Sequence, residues 1–169
     1  MPTVGFLDVP ELRPHGAGVI SVGDPAPDFE GVDQNGQRVT LSDLVKDSAI
    51  VLYFYPKDFT PVCTAQACLF RDTTAELAAE GVKVVGVSGD DTASHAKFAA
   101  EHRVPYPLLS DPDKTIQKAF GARQLLGLFA KRVTYVIDQK KKIRAVYHHE
   151  LSAQKHLDAV RKVLGSLKG

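Results

Sequence analysis

Cys63 and Cys68 are the only cysteines in the chain, and they lie five positions apart. They follow Pro56-Lys57-Asp58-Phe59-Thr60-Pro61-Val62, where the apolar run from Ala49 to Tyr55 gives way through a proline-rich turn to a helical stretch. A cysteine in the first turn of a helix faces unpaired N–H groups and the positive end of the helix dipole, which favour the nucleophilic thiolate. Cys63 is therefore the candidate nucleophile. On an ideal helix a five-residue step rises about 7.5 Å and turns about 140°, which sets the two Cα atoms about 8.6 Å apart. A disulfide spans about 7 Å at most. Two cysteines placed this way on one helix can bond only after its first turns unwind, which suits a transient bond better than a permanent one. Cys68 taken alone reads as a small buried hydrophobe, but the nearness of Cys63 favours a second redox thiol.

Composition bounds the remaining possibilities. A chain of 169 residues with 44% hydrophobic content has the length of one domain and can bury a core without disulfide help. Its 21 basic and 20 acidic residues predict no general attraction to nucleic acid or to acidic membranes. No apolar stretch approaches a membrane span. Prolines, glycines and charges occupy Met1 to Val19, where a signal peptide would need an apolar stretch. Two cysteines are too few for a secreted disulfide scaffold and suit a reducing compartment, so the expected location is the cytoplasm.

The elements that must position the cysteines alternate along the chain. Residues 1–21, rich in proline, read as an irregular arm, and 22–169 as a single domain. Asp33-Gln34-Asn35-Gly36 is a turn between two short strands, and Ser42 is placed to cap a short helix. Ala49–Tyr55 reads as a strand buried on both faces, residues 63–80 as a long helix closed by Gly81, and Val82–Ser88 as a second buried strand. A helix over Thr92–His102 turns Phe98 inward, and Leu108-Leu109 is a short strand. Asp111-Pro112 predicts a cap and first-turn proline for a helix ending at Gly121. Arg132–Asp138 and Ile143–His149 pair as a hairpin, with Lys140-Lys141-Lys142 at its exposed tip. Ser152 caps a final helix whose Leu157, Val160, Val163, Leu164 and Leu167 form one apolar stripe. A β-α-β unit followed by a β-β-α unit describes an α/β thioredoxin-like fold: a central mixed sheet flanked by helices, with an N-terminal hairpin and inserted elements. Cys63 follows a parallel strand, at the end of the sheet where such folds carry their sites.

The runs YPKDFTPVCTAQACLFRD, VGDPAPDF, SHAKFAAEHRVPYPLLSDPD and RVTYVID together resemble the peroxiredoxins, from Val22 to the C-terminus. A second cysteine five residues after the first resembles the bacterioferritin comigratory protein, or peroxiredoxin Q, subgroup. Pro56, Thr60 and Cys63 meet the Pro-x-x-x-Thr-x-x-Cys signature in full. The resemblance implies a peroxidase that needs no cofactor. Cys63 would be the peroxidatic thiol, Thr60 the hydroxyl that holds the peroxide, and Arg132 the cation that favours the thiolate and the charge developing on the breaking O–O bond. Pro56 would shield the site, and the amides of Val62 and Cys63 would complete the cradle. Cys68 would be the resolving thiol, forming a Cys63–Cys68 disulfide that thioredoxin or a similar dithiol reduces, with the protein acting as a monomer. The chain departs from the subgroup pattern at two places. Gln66 stands where glutamate is usual, which bears on how Arg132 is oriented, and Val62 where glycine is frequent.

Two other functions fit parts of the pattern. A thiol–disulfide oxidoreductase would use Cys-x-x-Cys, which is absent, whereas a redox-switched binding or chaperone module could use the same helix without turnover. No metal is expected, because the adjacent His148 and His149 point to opposite faces of a strand. The apolar residues Phe59, Val62 and Leu125 to Phe129 read as packing. Thr60 without its spacing from Cys63 would read as a turn residue, and Arg132 without the motif as a surface arginine.

Overall fold

The computed structural model describes residues 20–122, 130–149 and 151–168. Met1 to Val19 and Leu125 to Phe129 lie outside the described residues, and with them most of the expected arm. Seven strands form one sheet: β1 (Glu30–Val32), β2 (Arg38–Thr40), β3 (Ala49–Phe54), β4 (Val82–Ser88), β5 (Leu108–Ser110), β6 (Val133–Ile137) and β7 (Ile143–His148). Their order is β2-β1-β5-β4-β3-β6-β7, with β3, β4 and β5 parallel and the outer pairings antiparallel. This is the thioredoxin-like mixed sheet expected from the order of elements.

The unbroken apolar run of β3 follows from its central place. Ile50, Leu52 and Phe54 enter one core with Phe29, Leu41, Ile116 and Phe120. Val51, Tyr53 and Tyr55 enter the other, with Phe70, Phe98 and Leu157. Successive side chains on a strand face opposite ways, so both faces demand apolar residues. Each such side chain, fully buried, contributes about 1.5–3 kcal/mol.

Among the described residues five helices flank the sheet: α1 (Leu41–Leu44), α2 (Pro61–Ala79), α3 (Thr92–His102), α4 (Thr115–Phe120) and α5 (Ala153–Lys168). Three starts differ from expectation. The cap of α1 is Thr40, whose extended backbone lets Oγ1 accept from the Asp43 amide, whereas Ser42 Oγ is engaged by Lys141 Nζ at 2.7 Å. Helix α2 begins at Pro61, two residues early, because Thr60 keeps an extended backbone and proline tolerates the first helical position. Cys63 remains in the first turn. Helix α4 begins at Thr115, since residues 111–114 close a turn first. Asp111 still caps it, its carboxylate reaching forward to the amides of Ile116 and Gln117. Ser152 caps α5 as expected, accepting from the Lys155 amide.

Candidate active site

Strand β3 delivers the chain to the end of the sheet at Tyr55, and the loop from Pro56 to Thr60 turns it into α2. The first internal bond of α2 runs from the Thr64 amide to the Thr60 carbonyl, so the amides of Val62 and Cys63 precede any helical acceptor. Thr60 does not cap them; its Oγ1 donates instead to the Lys57 carbonyl at 2.9 Å. That commits the hydroxyl proton and leaves the oxygen able to accept.

Arg132 immediately precedes β6. Antiparallel pairing sets Val133 opposite Phe54, so the start of β6 meets the end of β3 and Arg132 arrives beside the loop. It is 4% exposed, not a surface residue. Its Nη1 lies 3.1 Å from Cys63 Sγ and donates to Gln66 Oε1 at 3.2 Å. Gln66 thus meets the arginine from the next turn of α2 with a neutral oxygen. Cys63 is 1% exposed, Cys68 is half-buried, and both are free thiols on the same helix. Pro56 and Val62 are half-buried beside them.

The loop is pinned by residues that the sequence did not single out. Asp58 is buried and its carboxylate accepts from Tyr55 Oη at 2.6 Å and Ser94 Oγ at 2.9 Å, with His95 Nδ1 at 2.7 Å. The Asp58 amide donates to Asp90 Oδ2, which also accepts from Ser88 Oγ. Burial, then the neighbouring Asp58 charge, pushes the Tyr55 phenol well above its ordinary value, so it remains a donor. The other ring nitrogen of His95 donates to the Leu109 carbonyl. Next to this anchor Phe59 adopts φ +68°, a left-handed conformation worth about 1–3 kcal/mol of strain in a bulky residue. Its ring meets Phe98 edge-on at 5.1 Å and stays 42% exposed, so it packs on α3 while part of it remains in solvent. An aspartate between two prolines and a histidine three residues before Phe98 on the expected helix were the signals available.

Asp58, Asp90 and His95 also bring potential ligand atoms within 4.8 Å of one another. Their oxygens and nitrogens already hold the loop, and hydrogen bonds account for the cluster.

His156 supports the strand that carries Arg132. It is fully buried; Nε2 donates to the His149 carbonyl at 2.8 Å, and Nδ1 accepts from Thr134 Oγ1 at 2.7 Å. Burial depresses its pKa from 6.5 to about 4, opposed by the His149 hydrogen bond and reinforced by the Arg132 charge. The unfolded chain protonates His156 near 6.5 and the folded protein only near 4, so the unfolded state binds more protons between those values. Stability from this group is complete above about pH 6.5 and declines as pH falls toward 4, by as much as about 3 kcal/mol. Urea midpoints for the wild type and His156→Gln should converge as pH falls across that window. A gap that stays constant from pH 7 to 4 would show that His156 does not titrate in this way.

A thiol, an arginine at hydrogen-bond distance and a first-turn amide cradle on a thioredoxin fold define a thiol-dependent peroxidase. The model of the AhpC/TSA family matches residues 22–146, and the chain belongs to that family as a peroxiredoxin. Within it the chain groups with the peroxiredoxin Q and bacterioferritin comigratory proteins. It is 41% identical over 151 residues to chloroplastic peroxiredoxin Q of Triticum aestivum, spanning 89% of this chain and 69% of that protein. The crystal structure of peroxidoxin BcpB from Mycobacterium tuberculosis superimposes with a TM-score of 0.80 at 43% identity, covering 88% of this chain and 97% of that one. The bacterioferritin comigratory protein of Xanthomonas campestris does so with a TM-score of 0.73 at 29% identity, covering 83% and 90%. No helix among the described residues is long and apolar enough to cross a membrane.

Proposed function

We propose that the protein reduces hydrogen peroxide and organic hydroperoxides through Cys63 and Cys68 and is recycled by thioredoxin or a similar dithiol. The observation that carries this reading is Arg132 Nη1 at 3.1 Å from a buried Cys63 Sγ in the first turn of α2. The Cys63 thiolate attacks the proximal peroxide oxygen; the S–O bond forms as the O–O bond breaks, and the distal oxygen leaves as water or an alcohol after taking a proton. Thr60 Oγ1 and the amides of Val62 and Cys63 hold the peroxide, Arg132 stabilises charge along the breaking bond, and Pro56 limits water. Cys68 then displaces hydroxide from the Cys63 sulfenic acid, releasing water and leaving a disulfide. An external dithiol returns both thiols by exchange.

The alkyl peroxide reduction named for the Xanthomonas campestris protein supports organic hydroperoxides as substrates. Both thiols of the cycle come from one chain, so it can run in a monomer. A count of two cysteines suits a reducing compartment, and we assign the cytoplasm.

Mixing reduced protein with hydrogen peroxide in a stopped-flow instrument tests the reading. Two thiols should be lost for each peroxide consumed, with Cys63 reacting first. Arg132→Met should slow the first step by about 10²–10³-fold, the scale of removing one charge-stabilising donor. Thiol content that holds steady after mixing would overturn the assignment.

A further inference from the structure

Helix α2 has a second attachment to the sheet, between its two cysteines. Tyr106 Oη donates to the carbonyl oxygen of Ala67 at 3.0 Å and lies 2.8 Å from Tyr53 Oη. The single proton of Tyr106 is committed to Ala67, so Tyr53 must supply the proton of the other bond. The relay therefore runs from Tyr53 through Tyr106 to Ala67. Both rings are buried, and burial holds both phenols protonated well above the ordinary tyrosine range.

The relay spans the interval that has to move. Tyr53 also stacks on Phe70 at 5.1 Å between ring centroids. Room for the phenol exists because β4 has glycine at 86; a Cβ there would stand 3.0 Å from Tyr53 Cζ and 3.1 Å from its Oη. One turn further along, Arg71 Nη1 donates to the His102 carbonyl at 2.7 Å, beyond the cysteine pair.

We propose that Tyr106, supported by Tyr53, is a positioning residue that clasps the Cys63–Cys68 turns of α2 and thereby sets the rate of disulfide formation. The proposal rests on Cys68 as the resolving thiol. Unwinding withdraws the Ala67 carbonyl and strands the Tyr106 hydroxyl in the core, where an unpaired donor is unfavourable. The clasp thus resists the unwound state and prolongs the life of the sulfenic acid. Removing the hydroxyl lifts that resistance, whereas the Tyr53 hydroxyl loses its partner equally in both states and cancels.

Tyr106→Phe in the full chain tests this. Disulfide formation after one equivalent of hydrogen peroxide, followed by acid quench and mass spectrometry, should run about tenfold faster than in the wild type. Peroxide consumption by Cys63 should stay unchanged, and more peroxide should be needed to drive Cys63 to sulfinic acid. Amide exchange in the reduced variant should rise between Thr64 and Phe70 and stay level in β3 and β4. A merely structural tyrosine would lower the melting temperature without altering the partition between disulfide and sulfinic acid. Tyr53→Phe keeps the Ala67 bond but loses its support, so it should give a smaller acceleration, and it serves should Tyr106→Phe fold poorly. Resolution rates equal to or slower than wild type in both variants would overturn the clasp alone. A wild type that forms no Cys63–Cys68 disulfide would overturn the resolving role and the clasp with it.

Discussion

Cys63→Ser is expected to abolish peroxide reduction, lowering turnover with thioredoxin by about 10⁴-fold or more, as removal of a nucleophile does in other enzymes. The substitution exchanges sulfur for oxygen at a site 1% exposed and 3.1 Å from Arg132 Nη1, so the surroundings are kept while the chemistry is lost. A serine hydroxyl stays protonated near neutral pH, and its oxygen attacks O–O bonds poorly. The remaining thiol, Cys68, is half-buried two turns along α2 and has neither the first-turn amides nor the arginine. The check is coupled turnover alongside direct thiol titration after peroxide. Retention of more than a trace of turnover would sink the mechanism.

Cys68→Ser is expected to separate the two halves of the cycle. Peroxide consumption by Cys63 should continue at the wild-type rate for one turnover, because the Arg132 contact to the Cys63 sulfur does not run through Cys68. Recycling by thioredoxin should then fail. With no second thiol in the chain, Cys63 remains a sulfenic acid and is open to further oxidation. Mass spectrometry after one equivalent of peroxide should show one added oxygen on the peptide containing Cys63, and two added oxygens as peroxide is raised. A variant that cycles normally would leave Cys68 as a packing residue and move the resolving role to a thiol outside the chain.

Much of the frame was legible because it depends on local pattern. The unbroken apolar run of β3 signalled a strand buried on two faces, and the strand β4 began and ended where its pattern placed it. Gly81 and Gly121, both at positive φ, close helices as their positions implied. The helix starts were less legible. Several hydroxyls or carboxylates near each start could have served as caps, and backbone conformation chose among them. At α1 the choice fell on Thr40 rather than Ser42, because Thr40 keeps the extended backbone and Ser42 already lies within the helix. At α4 an extra turn after Asp111 moved the start to Thr115 without removing its capping carboxylate.

The sequence by itself determined the candidate nucleophile, its place at a helix start, the second cysteine on the same helix and the fold that carries both. Those features follow from residues within a few positions of one another, where spacing alone sets geometry. Only the tertiary structure decided which groups surround the sulfur. Arg132 stands 69 positions from Cys63, and the pairing of β3 with β6 brings it there. Asp58 meets His95 across 37 positions and thereby fixes the loop, and Tyr106 reaches Ala67 across 39. Gln66 shares a helix with Cys63, yet its role depends on where Arg132 arrives. Contacts at such separations are set by strand register and sheet order, because a buried polar group must find its partner wherever the packed backbone delivers one.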